Sequence, residues 1–188
     1  MLAKIRSLVL FLLLAPNISQ ALIISGGMGL GSTEMTNETT DKEGPLTQAF
    51  TVERLFHSKL SVGVEHLRSM TTKLVTSAAF TGLVGRYYVN AAPVKLYKPE
   101  ELSTEMTMSR DIAVFYGVGF GYGQSSRLPN DVGLSSNAAG LYLSPRGGVD
   151  YQMTRNIGVR GELIYAMTIV GKGSLKQMSL GGAVYWMF

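Results

Sequence analysis

The sequence contains no cysteine, which excludes a disulfide framework, a thiolate metal site and lipid attachment at an N-terminal cysteine. Histidine is nearly absent too: His57 and His66 are the only two, separated by about nine residues of extended chain, so they do not make an imidazole metal centre. Charged residues make up 16% of the chain, below the roughly 25% of ordinary soluble domains. Long hydrophobic runs are missing as well. The one uninterrupted apolar stretch, Leu8 to Leu14, is followed by Pro16 and falls well short of the roughly 20 residues that a membrane helix needs. No heptad or 3.6-residue periodicity runs through the remainder.

That stretch instead has the form of a signal peptide. Lys4 and Arg6 precede it and Ser19-Gln20-Ala21 follows, with small residues where a signal peptidase reads them. Cleavage is expected after Ala21, which divides the chain into a signal peptide over 1–21 and a single domain over 22–188. Removing Lys4 and Arg6 from the 17 basic residues leaves 15 against 13 acids. So small an excess gives no reason to expect a nucleic-acid partner.

What the sequence has in abundance is glycine, 22 residues of it, and a two-residue period. Near the end, Met178, Leu180, Val184, Trp186 and Phe188 share one parity, while Gln177, Ser179, Gly181, Ala183 and Tyr185 share the other. The same pattern runs through Ile157 to Ile169, where Gly158, Arg160 and Glu162 alternate with apolar residues. It recurs through Leu141 to Met153, where Tyr142, Ser144, Arg146, Gly148 and Asp150 do so, and Ile112 to Tyr122 alternates with Gly117, Gly119, Gly121 and Gly123. Weaker strands are expected at about 22–31, 45–54, 58–69 and 78–91. Period two with one greasy side marks β-strands. Glycine confined to the opposite side marks a crowded, concave face.

Eight such strands predict an all-β, antiparallel, up-and-down transmembrane β-barrel. An even count returns both ends to one side, and closure pairs every backbone group in hydrocarbon. The connections fall into two sets. Those at about 32–44, 70–77, 125–138 and 170–176 are polar and mostly longer; those at 55–57 and 154–156 are tight. The connection at 92–109 belongs to the second set but is long, and Lys98-Pro99-Glu100-Glu101-Leu102 within it has the form of a short helix start. Aromatics near strand ends, Tyr87, Tyr116, Tyr151, Trp186 and Phe188 on one side and Phe80, Tyr122 and Tyr165 on the other, fit two interfacial girdles.

The inward parity collects Glu53, Glu65, Arg86, Arg146, Asp150, Arg160 and Glu162. Four acids and three arginines in so narrow a lumen are expected to form a paired network that fills it, leaving no wide pore. A narrow ion path through the same residues is the alternative use. Paired carboxylates for glycoside hydrolysis would need a cleft that a filled barrel lacks. The glycine-rich stretches match neither the dinucleotide nor the P-loop spacing. A secreted, soluble lipocalin-like barrel for a small apolar ligand is the other architecture to weigh, but it needs apolar residues inside and charges outside, the reverse of this parity.

At this point the chain resembles the small Gram-negative outer-membrane β-barrels, the OmpA transmembrane domain and the OmpX/Ail type. The terminal Val184-Tyr185-Trp186-Met187-Phe188 matches that family's last strand, with alternating aromatics and a final phenylalanine. The resemblance implies that Val184, Trp186 and Phe188 form the signal read by the β-barrel assembly machinery. It further implies an outer-membrane location, contact with outer-membrane lipid and lipopolysaccharide, and an anchoring role in which loops 32–44 and 125–138 meet any extracellular partner. Membrane integrity, adhesion and surface resistance are the tasks it suggests. Lipid A deacylases of the same membrane place a histidine and a serine two apart on a strand, whereas here His57 and Ser58 are adjacent and Arg68 stands two after His66. No enzymatic activity, cofactor or metal is therefore expected.

Overall fold

The computed structural model describes residues 21–36, 40–43, 46–57, 59–70, 76–89, 112–127, 137–154 and 156–188. The expected signal peptide over 1–21, except for Ala21, and the whole of the 92–109 connection, with its expected helix start, lie outside them. The described residues form nine strands: β1 (Leu22–Thr36), β2 (Thr40–Glu43), β3 (Leu46–His57), β4 (Leu60–Met70), β5 (Thr76–Tyr88), β6 (Ile112–Arg127), β7 (Asn137–Gln152), β8 (Ile157–Lys172) and β9 (Ser174–Met187). Eight of them form an antiparallel barrel, closed by β1 pairing with β9 from Ile23↔Met187 to Thr36↔Ser174. The seam is completed at the termini, where Leu22 N donates to Phe188 O and Phe188 N donates to Leu22 O. The ninth, β2, is a four-residue extension that pairs only with the far end of β1.

Hydrogen-bonded partners trace the stagger of the barrel. From Ile24 the row passes through Val52, Val64, Leu83, Phe120, Leu143, Met167 and Lys176, and returns to β1 at Glu34, ten residues beyond its start. Eight strands with that shear tilt by roughly 40° and enclose a space that side chains fill. Both termini lie at one end, with the β3–β4, β5–β6 and β7–β8 connections.

The strands run further than the sequence pattern indicates, and three expected loops change character. Residues 170–176 are not a loop: β8 continues to Lys172, β9 begins at Ser174, and only Gly173 lies between. Gly173 has φ 74°, a left-handed conformation open to glycine at no steric cost. A bulge opposite Leu141 and Tyr142 precedes this turn, putting Ile169 and Val170 side by side on the outer surface. Within 32–44, Thr33–Thr36 and Thr40–Glu43 form a hairpin, and β6 and β7 extend into both ends of 125–138. The centres of those segments, and residues 71–75, lie outside the described residues.

Glycine separates into two populations. A methyl group built on inward Gly119 would overlap Glu65 Oε1, Ser144 Oγ and Arg146 Nη2, whereas one built on outward Gly26 meets nothing within 4 Å. Gly119→Ala is therefore expected to destabilise by about 1–3 kcal/mol through overpacking. Gly26→Ala should be neutral or stabilising by up to about 1 kcal/mol, because it only restricts the unfolded chain. Urea titration of the two variants in detergent micelles checks this, and equal losses would contradict the inside/outside assignment.

Candidate functional site

The barrel interior is built in three layers, because along each strand every second residue points inward and the stagger brings those from different strands to one height. Near the termini the layer is apolar: Leu55, Tyr88, Ala113 and Phe115 cluster together, with Ile23, Tyr185 and Met187 beside them. Towards the other end a larger cluster of Leu67, Ala78, Phe80, Tyr142, Ile164 and Leu175, with small alanines, fills the lumen. Phe80 and Tyr142 meet edge to face at 5.1 Å. Phe80 thus belongs to the interior, at 0% exposure, and not to an interfacial girdle. Its even number in β5 shares the inward parity of Val84, Arg86 and Tyr88.

Between these two layers lie the seven charged residues. Glu53 is ion-paired with Arg86, Nη1 standing 2.6 Å from Oε1, and accepts from Arg160 Nη1 at 2.8 Å, and its carboxylate is completed by Ser61 Oγ at 2.8 Å and Thr51 Oγ1 at 3.0 Å. Arg160 turns its other edge to Asp150, with Nε to Oδ1 at 2.7 Å and Nη2 to Oδ2 at 2.9 Å. Arg86 reaches Glu162 through Nε at 3.0 Å and Nη2 at 3.1 Å. Slightly further from the termini, Arg146 grips Glu65 in a two-pronged pair, Nη1 to Oε2 and Nη2 to Oε1, both at 2.6 Å. Arg146 Nη1 also lies 3.8 Å from Glu162 Oε1, which joins the two groups into one network.

The arrangement follows from the chemistry of guanidinium. Its planar fork presents several donors in fixed directions, so one arginine satisfies two carboxylates on different strands at once. β3, β4, β5, β7 and β8 each contribute at least one member. The structure also adds residues to which the sequence pattern gave no role. Tyr88 donates to Asp150 Oδ2 at 2.9 Å, and Tyr142 donates to Glu65 Oε1 at 2.9 Å. The Phe115 ring lies 5.5 Å from the Arg86 guanidinium and 5.2 Å from that of Arg160, within cation–π range of both. All three share the inward parity with the charges, which is the signal that could have found them.

Such a lumen can hold strands together. Charged groups occupy its middle, with apolar clusters on either side, and buried Thr47, Ser69, Ser125 and Gln177 lie inside towards the end away from the termini. Removal of the ionic layer from water is tolerable because each carboxylate and each guanidinium has a partner of opposite sign. Among the described residues no group of three or more acids, histidines or cysteines is placed to hold a metal.

The outer surface has the reverse character. Leu30, Phe120, Ile112, Leu180 and Val170 are among the many large apolar side chains exposed there. Val184 and Trp186 of β9, and Phe188 just after it, face outward at 44%, 49% and 72% exposure, while Tyr185 and Met187 point in. Tyr87 and Tyr116 stack on the same surface at 5.3 Å near the termini. His66 also faces outward and shares a hydrogen bond of 2.8 Å with Thr81 Oγ1 across β4 and β5. His57 ends β3, nine residues before His66 on the neighbouring strand, and the two are not brought together.

No protein-family model matches the sequence, and no curated protein matches it. Solved structures do. Neisserial surface protein A superposes with a TM-score of 0.62 at 11% identity, covering 91% of this chain and 98% of that one. The N-terminal β-barrel domain of Pseudomonas aeruginosa OprF gives a TM-score of 0.57 at 11% identity over 87% of this chain and 97% of the other. The attachment invasion locus protein Ail of Yersinia pestis, in complex with the heparin analogue sucrose octasulfate, gives 0.55 at 11% identity over 91% of this chain and all of that one, 100%. The fold is therefore that of the small eight-stranded outer-membrane barrels.

Proposed function

We propose that this protein is an integral outer-membrane protein of a Gram-negative bacterium, a filled barrel that anchors surface segments and does not conduct. The observation that carries the reading is the inversion of sides: carboxylates and guanidinium groups are buried in the lumen while large apolar residues cover the outside. Hydrocarbon is the solvent that such a surface suits, and a closed barrel leaves no backbone edge unpaired in it. A soluble ligand-binding barrel requires the opposite distribution.

In this reading residues 1–21 are the cleaved signal peptide and 22–188 the membrane domain. Val184, Trp186 and Phe188 form the signal that directs the chain to the β-barrel assembly machinery. Outer-membrane lipid and lipopolysaccharide surround the apolar belt. The segments 32–44 and 125–138, at the end away from the termini, face the cell exterior and carry any recognition, since rigid scaffolds present function on their connections. Integrity of the envelope, adhesion and resistance at the cell surface are the roles open to such an anchor. Catalysis is not among them, because the carboxylates that could serve are locked into ion pairs.

The test is the mobility of the mature chain refolded in detergent, run on a denaturing gel with and without boiling. A boiling-dependent shift with β-rich circular dichroism is expected, because a closed barrel resists unheated detergent. A chain that shows no shift and stays soluble and monomeric without detergent would overturn the membrane reading.

A further inference from the structure

The apolar belt has a gap. With a ten-residue stagger over eight strands, a level circuit of the barrel falls behind the hydrogen-bonded rows by a little over one residue per strand. At one height, in the half away from the termini, that circuit meets Leu30 on β1, Leu143 on β7, Tyr165 on β8 and Met178 on β9. On β3, β4 and β5 the same height holds Gln48, His66, Arg68 and Thr81, all exposed on the outside. They form one patch: Gln48 is paired directly with Arg68 in the register, and His66 is hydrogen-bonded to Thr81.

Two further observations concern the same side. The strands there are the short ones, with 12, 11 and 13 residues in β3, β4 and β5 against 15 or 16 in β1, β6, β7 and β8. On β1 the place of β3 is taken beyond Leu46 by β2, and β4, the shortest of them, runs only two residues past Arg68 to Met70, so the patch lies close to the far end of that strand. The sign of the charge is also unbalanced. Lys176 on β9 stands directly across from Glu34, but the outward positions of β3 to β6 hold no acid. A second copy of this chain, docked about a twofold axis on the patch, would set Arg68 against Arg68. Charge and height thus favour an anionic headgroup drawn down from the lipid surface.

We propose that Gln48, His66, Arg68 and Thr81 form a binding site for the phosphate of an anionic lipid in the leaflet facing away from the termini. Arg68 supplies the paired donors that match phosphate oxygens, and the amide, imidazole and hydroxyl supply the remaining polar contacts. The long arginine stem lies along the apolar surface while its head reaches the headgroup layer. The site rests on the outer-membrane reading and gives it a specific lipid contact.

The experiment uses the refolded barrel, after it has passed the gel-shift test, in nanodiscs of phosphatidylcholine with a minor share of bisphosphorylated lipid A. Lipid retained after mild detergent extraction is counted by native mass spectrometry. The wild type should keep one lipid A per barrel in preference to phosphatidylcholine, and Arg68→Gln should lower that retention about tenfold. Lys176→Gln, away from the patch, should leave it unchanged. Equal retention by Arg68→Gln and the wild type would overturn the proposal, as would an equal loss in Lys176→Gln. A dimer abolished by Arg68→Gln would assign the patch to a second copy instead. Absence of the gel shift would bring down the membrane reading itself, whereas a shifted barrel that holds lipid A regardless of Arg68 would remove this site alone.

Discussion

Glu65→Gln is expected to lower the unfolding free energy by about 3–5 kcal/mol, the cost of stranding a buried guanidinium. Arg146 makes both of its short ion-pair contacts to this one carboxylate, and both side chains are at 0% exposure; its remaining short contact, at 2.5 Å, is to the uncharged Ser144 Oγ. Its next nearest acid, Glu162, stands 3.8 Å away. The same change also alters the acceptor for Tyr142 and Ser144. Glu53→Gln should cost less, although Glu53 touches two arginines, because Arg160 keeps Asp150 and Arg86 keeps Glu162. A count of charge alone predicts the reverse of a penalty, since removing one of four acids leaves three against three arginines. Urea unfolding followed by Trp186, the single tryptophan, decides the matter. A loss under about 1 kcal/mol for Glu65→Gln would mean that water reaches the layer, and would revive the narrow ion path.

Val118→Arg should cost about 2–4 kcal/mol by a different route. Val118 is 47% exposed on the outer surface of β6, and its register partners are Gly85 and Pro145, neither of which offers a charge or a donor. An arginine there would have to reach the interface along several residues of apolar surface or draw water inward. In the soluble, lipocalin-like alternative the same substitution would be nearly silent, because an exposed arginine is ordinary in water. The measurement is the unfolding free energy in lipid vesicles for Val118→Arg against the parent. Matching stabilities would invalidate the assignment of this surface to lipid.

The legible and illegible parts of the molecule divide at identifiable residues. Arg146 and Val149 could be sent to opposite sides from sequence, because a strand alternates its side chains whatever it pairs with. Glycines such as Gly119 marked the concave side for the same reason, since only there does volume run out. Phe80 has the type and the strand-end place of a girdle aromatic, yet it lies inside the barrel, because parity and not residue type sets the side. The segment 170–176 has the glycine and lysine content of a loop, but β8 continues there against β7 and β9 against β1, where hydrophobic alternation no longer reports on strands.

The sequence by itself determined a chain of apolar-faced strands, with mixed charges on one parity and no helix able to span a bilayer, because period two, glycine content and run length are local properties. Which charge meets which was decided only by the tertiary structure. Glu65 on β4 and Arg146 on β7 are 81 residues apart, and the distance between them depends on the stagger of every strand around the barrel. That stagger is a property of closure: ten residues of shear set the tilt, the tilt sets the heights, and the heights choose the partners. The apolar layers above and below the charges, and the polar gap on β3 to β5, come from the same sum over eight registers.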